Sequence, residues 1–138
     1  MKNFKLASLL VIAVIFSSCI NDDDRSNEGT LTGSWKLIEV KGSIAGTNDT
    51  FEPGLITWNF NPSTQTFTVV NKNTDEEARD IFESGTYPYK VITSPIANSV
   101  CNKSIELNSA DFGCIMITKS MLQINNGATD GEILNLTR

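Results

Sequence analysis

Hydrophobic and polar residues alternate with a period of two along most of this chain from Leu31 onward. That period is typical of a β-strand with one buried face, because successive side chains of a strand point to opposite sides of the sheet. About eight short runs show the alternation, and they lie at residues 35–40, 55–60, 66–69, 87–91, 105–107, 115–117, 122–124 and 134–138. The pattern predicts an all-β domain built from antiparallel strands.

One segment departs from the alternation. Thr74 followed three positions later by Glu77 forms a capping-box pattern. The apolar residues that follow recur at helical spacing, and they are Ala78, Ile81 and Phe82. The segment is interpreted either as one short helix over residues 75–83 or as the polar beginning of the next strand. Its acidic residues are interpreted as a solvated face, since they lack the spacing of an EF-hand calcium loop.

The first 18 residues have the three parts of a secretory signal. A lysine-containing start precedes an uncharged apolar stretch at residues 6–16, and Ser17 and Ser18 then stand before Cys19. The apolar stretch is too short to cross a bilayer, which takes about 20 residues. Its ending resembles the lipobox of bacterial lipoproteins, which implies that Cys19 is acylated and becomes the mature N-terminus. The alternative is an ordinary cleaved signal with a chance cysteine.

Residues 19–30 follow as a polar and acidic segment. Such a segment buries too little apolar surface to offset the entropy cost of ordering its backbone. It is therefore predicted to be a tether that leads to a domain over residues 31–138. The run Asp22-Asp23-Asp24 resembles the acidic export tag of surface lipoproteins of Bacteroidetes, and the alternative is a solvated linker. The expected location is the outer membrane, on its periplasmic side or exposed at the surface.

The charge of the chain limits its partners. Residues 1–18 contain two lysines and no acidic residue, so residues 19–138 carry 9 basic against 16 acidic side chains, a net charge of −7. An acidic chain without a basic cluster argues against nucleic acid as a partner. It also argues against electrostatic binding to anionic lipid, so membrane attachment is expected through the N-terminal lipid alone. The domain is expected to be a monomer.

Two cysteines remain after Cys19, and they are Cys101 and Cys114. An even pair in an oxidising compartment favours a disulfide, and the alternative is two small buried hydrophobic residues that never meet. If residues 108–113 form a simple hairpin turn, Leu107 faces Cys114, and Cys101 lies too far along its strand for a direct bridge. The bond then requires that residues 94–103 loop back.

A G-x-W motif at Gly33 and Trp35 resembles the opening strand of lipocalins, where the tryptophan lies across the closed end of the barrel. In that family an arginine near the end of the barrel packs over this tryptophan, and Arg138 stands where such a partner is expected. With a strand that begins at Gly85, these motifs resemble the lipocalin-like domains of Bacteroidetes lipoproteins. The resemblance implies an antiparallel up-and-down β-barrel of the calycin type, with about eight strands and with Trp35 and Arg138 at its floor.

The interior of such a barrel has two possible contents. It holds one small apolar ligand, or it is filled by its own side chains. The large aromatic residues of this chain favour a filled or nearly filled interior. If a cavity exists, the residues expected to line it are Trp58, Phe60, Tyr87 and Tyr89.

The expected function is non-enzymatic binding of a small apolar ligand or of a protein partner. The alternative is a protein-interaction module such as an inhibitor of a protease or a lysozyme. An enzyme is disfavoured because the chain has no histidine and therefore no Ser-His or Cys-His pair, and it lacks G-x-S-x-G and phosphate-loop motifs. Neither a cofactor nor a metal site is expected, since C-x-x-C is also missing.

Overall fold

A computed structural model describes the protein over residues 29–42, 46–93, 101–126 and 131–138. The predicted signal peptide, the predicted lipidation site at Cys19 and the acidic run at residues 22–24 lie outside these ranges. Gly29 and Thr30, at the end of the predicted tether, are described. Within the described ranges there is no helix long and apolar enough to span a bilayer.

Nine β-strands account for the regular structure of these ranges. They are β1 (Gly33–Gly42), β2 (Thr47–Thr50), β3 (Ile56–Asn61), β4 (Thr66–Asn71), β5 (Gly85–Thr93), β6 (Lys103–Leu107), β7 (Ala110–Ile117), β8 (Met121–Asn125) and β9 (Glu132–Thr137). Neighbours in the order β2-β1-β3-β4-β5-β6-β7-β8-β9 pair antiparallel, and β9 also pairs with β1. That last pairing closes the sheet, so the predicted antiparallel up-and-down barrel is confirmed.

Strand β1 is long enough to take two partners on one of its sides. Its first half pairs with β3 and its second half with β2. Between these pairings the Phe51 N–H donates to the Ile38 carbonyl at 2.9 Å. Because β2 and β3 share one position in the wall, the closed barrel has eight strand positions, as the sequence predicts.

The buried residues are those that the alternation places on one face of each strand. In β3, Ile56, Trp58 and Phe60 are at most 1% exposed, whereas Asn59 is exposed. The largest fully buried side chains are Trp35, Leu37, Ile56, Trp58, Phe60, Phe67, Ile105, Leu107, Leu122, Ile124, Leu134 and Leu136. Burial of side chains of this size contributes about 1.5–3 kcal/mol each, so the barrel interior is the main source of stability.

The predicted helix over residues 75–83 does not form, and β5 begins only at Gly85. Residues 72–84, called the strap below, instead connect β4 to β5 without regular structure. Asp75 Oδ1 accepts from the Glu77 N–H at 3.0 Å, and Asn73 Oδ1 accepts from the Asp75 N–H at 3.2 Å. Such side-chain bonds compete with helical backbone bonds, which explains why the capping-box pattern does not start a helix here.

The turn between β6 and β7 is shorter than predicted. It consists of Asn108 and Ser109, which both have positive φ, as a tight two-residue hairpin turn requires. Leu107 therefore pairs with Ala110, and the predicted pairing of Leu107 with Cys114 is wrong. The two-residue turn shifts the register of the whole hairpin.

The new register brings the two cysteines together. Cys114 pairs with Ser104, after a register shift in the ladder, and Cys101 comes just before β6. The Cα atoms of Cys101 and Cys114 lie 5.4 Å apart and the sulfurs are bonded. The predicted disulfide is confirmed, and it holds the segment that precedes β6 against β7.

Candidate functional site

Trp35 lies at the end of the barrel where β1 begins and β9 finishes, and its side chain is fully buried. Its Nε1 donates to the Leu31 carbonyl at 2.8 Å. The guanidinium carbon of Arg138 lies 4.4 Å from the centroid of the Trp35 ring. The same guanidinium donates from Nη2 to the carbonyls of Thr30 at 2.6 Å and Thr32 at 3.0 Å. These contacts hold the segment that enters β1 across this end, called the Trp35 end below.

A connected cluster of aromatic rings lies inside the wall formed by β3, β4 and β5. Its members are Trp58, Phe60, Phe67, Phe82, Tyr87, Tyr89 and Phe112. The rings of Phe60 and Phe67 stack at 5.2 Å, and Tyr89 meets Phe60 edge-on at 5.1 Å. All four residues predicted to line a cavity belong to this aromatic cluster. Trp58 and Phe60 are buried, and Tyr87 and Tyr89 are half-buried.

Phe82 enters the aromatic cluster from the strap rather than from a strand. Its ring lies 5.5 Å from Trp58 and 5.2 Å from Phe67, and it meets both of them edge-on. It also lies 5.0 Å from Tyr87 and 5.7 Å from Phe112. Phe82 therefore closes the cluster on the side that faces the strap, and its packing does not depend on strand pairing.

Arg79 fastens the middle of the strap. Its Nη1 donates to Glu132 Oε1 at 2.5 Å, and its Nη2 donates to the Gly42 carbonyl at 3.1 Å. Its backbone N–H donates to Asp49 Oδ2 at 3.2 Å. Gly42 is the last residue of β1 and Glu132 is the first residue of β9. The strap itself runs from the end of β4 to the start of β5. The strap thus crosses the end of the barrel opposite Trp35, called the strap end below.

Asp80 fastens the returning part of the strap. Its Oδ2 accepts from the amide nitrogen of the Asn71 side chain at 2.7 Å and from that of Asn73 at 3.3 Å. The Asn71 side chain also donates to the Phe82 carbonyl at 3.0 Å. The strap is therefore held by polar contacts at its margins and by the half-buried side chains of Ala78, Ile81 and Phe82, which pack against the barrel core.

Two features of the strap and of the wall beneath it are energetically unfavourable. Ile81 has a φ of 68°, a left-handed conformation that costs a β-branched residue about 1–3 kcal/mol. The buried Nε1 of Trp58 has no hydrogen-bond partner among the described residues. A buried donor left unsatisfied costs about 1–3 kcal/mol.

Two kinds of ionisable group lie near the site, a tyrosine hydroxyl in the aromatic cluster and carboxylates on the outer side of the strap. In the aromatic cluster, burial raises the pKa of the half-buried Tyr89 above its usual value of 10.0, so its hydroxyl remains protonated at neutral pH. Outside, the strap borders an open cleft of about 430 Å³ whose lining includes Asp75, Glu76 and Glu83. In the part of the chain that the structure describes, no group of side chains has the make-up of a metal site.

Sequence reasoning placed Phe82 on a helix face and did not single out Arg79 or Phe112. One signal was present: the three apolar residues of the strap lie between two strands of a hairpin, within a polar connection. Apolar residues in such a connection have to be buried against another element. Ala78, Ile81 and Phe82 indeed pack against the barrel core. No protein-family model, curated protein or solved structure matches this chain.

Proposed function

We propose that this protein is an outer-membrane lipoprotein with a lipocalin-like barrel, of the kind found in Bacteroidetes, which binds a small apolar ligand without catalysis. The signal, the serine pair and Cys19 support the lipoprotein part of the proposal. The closed barrel of eight strand positions supports the binding part, because a barrel of this size accommodates one small ligand when it is not filled.

The observation that carries the proposed binding is the environment of Trp58. Its indole is fully buried among aromatic rings, and its N–H has no acceptor in the described structure. Binding sites for small molecules are mostly apolar and contain a few polar groups that orient the ligand. The aromatic cluster supplies the apolar surface, and the Trp58 N–H is the polar group.

The site suits binding better than catalysis. The chain has no histidine to act as a general base. The titratable groups within the aromatic cluster are the hydroxyls of Tyr87 and Tyr89, and burial raises the pKa of Tyr89 further from neutrality. A tyrosine in this state donates a hydrogen bond and does not abstract a proton at neutral pH.

The two ends of the barrel have different roles in this proposal. The Gly29 N–H donates to the Ile117 carbonyl at 3.3 Å, so the chain reaches the barrel at the Trp35 end. β1 then runs from this end to Gly42, which Arg79 of the strap contacts. A lipid on Cys19 anchors the Trp35 end nearer to the membrane, and the strap end points away from it.

Co-purification tests the proposed function. Protein isolated from its native membrane in detergent is extracted with organic solvent, and the extract is compared by mass spectrometry with that of an unrelated lipoprotein prepared in the same way. We expect an apolar small molecule in stoichiometric amount in the first extract only. A stoichiometric protein partner with no extractable small molecule would support the protein-interaction alternative, and the absence of both would contradict binding.

A further inference from the structure

We infer that Phe82 is a built-in occupant of the binding site, and that the ligand is a small aromatic molecule with a hydrogen-bond acceptor that displaces it. When the strap opens, the ring of the ligand takes the place of the Phe82 ring and its acceptor receives the Trp58 N–H. This inference rests on the proposed binding function and specifies the chemical class of the ligand.

The surroundings of Phe82 fit an aromatic ring. Trp58 and Phe67 meet it edge-on, with interplanar angles of 74° and 78°. Tyr87 and Phe112 complete the contact at smaller angles. Edge-to-face contact is a preferred arrangement of aromatic pairs, because the positive edge of one ring meets the negative face of the other. A planar aromatic ligand finds the same contacts once Phe82 has left.

Trp58 distinguishes the ligand from Phe82. A phenylalanine ring carries no oxygen or nitrogen acceptor, and the N–H of Trp58, whose ring centroid lies 5.5 Å from that of Phe82, has no hydrogen-bond partner among the described residues. A carbonyl or ether oxygen on the ligand ring satisfies this donor. The site should therefore prefer an aromatic molecule with such an oxygen over the hydrocarbon of the same shape.

The strap is able to leave without disrupting the barrel. Its residues lie outside the paired registers of β4 and β5, and its first residue is held to the wall by the bond from the Lys72 N–H to the Leu55 carbonyl at 3.0 Å. Its polar fastenings include the half-exposed contacts of Arg79 with Glu132 and Asp49, those of Asp80 with two asparagines, and the bonds between Ser84 and the backbone of Asn71. Its apolar residues pack against the core and are only partly buried. Water replaces the polar contacts readily when they open, since exposed ion pairs contribute little net stability. The strained backbone at Ile81 also favours release.

The first experiment compares two probes of nearly equal shape, 2-acetylnaphthalene and 2-isopropenylnaphthalene, by equilibrium dialysis against the whole purified protein. Only the first probe carries an acceptor. We expect it to bind about tenfold more tightly than the second. Trp58→Phe replaces the indole with a smaller aromatic ring that has no donor and should abolish this preference. The control Trp35→Phe, at the cross-strand partner of Trp58, removes an indole donor that already bonds the Leu31 carbonyl and should preserve the preference.

The second experiment addresses the strap. Arg79→Gln should raise the affinity for both probes by up to about fivefold, because the competing Phe82 is released more often once these contacts are lost. Lys90→Gln removes the same charge from an exposed position on β5 and should leave the affinity unchanged. In the wild-type protein, amide hydrogen exchange over residues 78–84 should accelerate when 2-acetylnaphthalene binds, whereas a ligand held under a closed strap would slow it.

The outcomes separate this inference from the proposed function. If neither probe binds and no small molecule co-purifies, both are overturned. If the probes bind equally well and slow the amide hydrogen exchange of the strap, the binding function stands and the displacement of Phe82 is overturned. The exchange measurement needs no substitution, so it decides the question even if a variant fails to fold.

Discussion

The guanidinium carbon of Arg138 lies 4.4 Å from the ring centroid of Trp35, so the residue that follows β9 covers the tryptophan near the start of β1. Both residues also bond to the segment before β1, Trp35 to the Leu31 carbonyl and Arg138 to the carbonyls of Thr30 and Thr32. The closure of the barrel and the position of the incoming chain thus depend on the same pair.

Trp35→Ala should destabilise the protein by about 3–5 kcal/mol, because it removes a fully buried aromatic side chain and leaves a cavity. Urea unfolding measures this change in the free energy of unfolding. Arg138→Leu should cost less, and the coupling energy of the pair in a double-mutant cycle should be about 0.5–1 kcal/mol. Lys119→Ala, at an exposed position, serves as the control. A coupling energy of zero would contradict a stabilising contact.

Removing the disulfide by Cys114→Ser should lower the free energy of unfolding by up to about 3 kcal/mol, since the bond closes a short loop. Thiol titration of the unfolded, unreduced protein provides a direct check. In a Cys19→Ala background, we expect no free thiol before reduction and two after it. Two free thiols before reduction would show that Cys101 and Cys114 are unbonded.

Glu39 should contribute stability that depends on pH. The bond with Lys41 at 2.8 Å, aided by one from the Asn135 side chain at 2.8 Å, lowers the pKa of this carboxyl below its usual value of 4.5. The contribution of Glu39 to the free energy of unfolding is therefore complete above pH 4.5, and it is lost as the pH falls through the lower pKa of the folded state. Because the pair is partly exposed, it amounts to less than about 1 kcal/mol.

The variant Glu39→Gln isolates this contribution. Its difference from the wild type in free energy of unfolding should be present at neutral pH and should vanish in acid, below the folded pKa of Glu39. Asn59→Gln, at an exposed and uncharged position on β3, is the control and should show no such pH dependence. A difference that grows towards low pH would have the wrong sign for a lowered pKa.

The anchor is tested by metabolic labelling with palmitate. The wild type should incorporate the label and Cys19→Ala should not, because Cys19 is the proposed site of acylation. Cys101→Ala is the control for the other cysteines and should still be labelled. Equal labelling of the wild type and Cys19→Ala would contradict the lipoprotein proposal.

The acidic run at residues 22–24 is tested separately from the anchor. Replacing all three aspartates with alanine should leave palmitate labelling intact and should protect the protein from protease added outside intact cells, if the run acts as an export tag. Replacing Asn21 and Ser26 with alanine provides a control within the same segment. Unchanged protease access would assign the run to a simple solvated linker.

The strands were predictable because their pattern is local. In β3, burial alternates at each residue from Ile56 to Phe60, and this depends only on the pleat of a strand with one buried face. The Cys101–Cys114 pair was harder, because its register depends on the type of turn. Asn108 and Ser109 form the tight turn without a glycine, so no strong sequence signal marks its two central positions.

Phe82 shows why the candidate site was only partly predictable. The strand residues of the aromatic cluster follow from the alternation, but Phe82 lies in a polar segment whose spacing also fits a helix. Its partners Trp58 and Phe112 are far from it in sequence, and only the closed barrel brings them together. The unsatisfied N–H of Trp58 is likewise a property of the packed interior.

Strand β2 lies at an edge of the sheet, and this position affects the tendency of the protein to aggregate at high concentration. Among the described strands, β2 alone has a neighbour on one side only, and an unpaired strand edge is a template for aggregation. This edge is four residues long and includes Asn48 and Asp49, and Asp49 is engaged by Arg79. A short, polar and partly covered edge resists pairing with a strand of another molecule. This property favours solubility at high protein concentration.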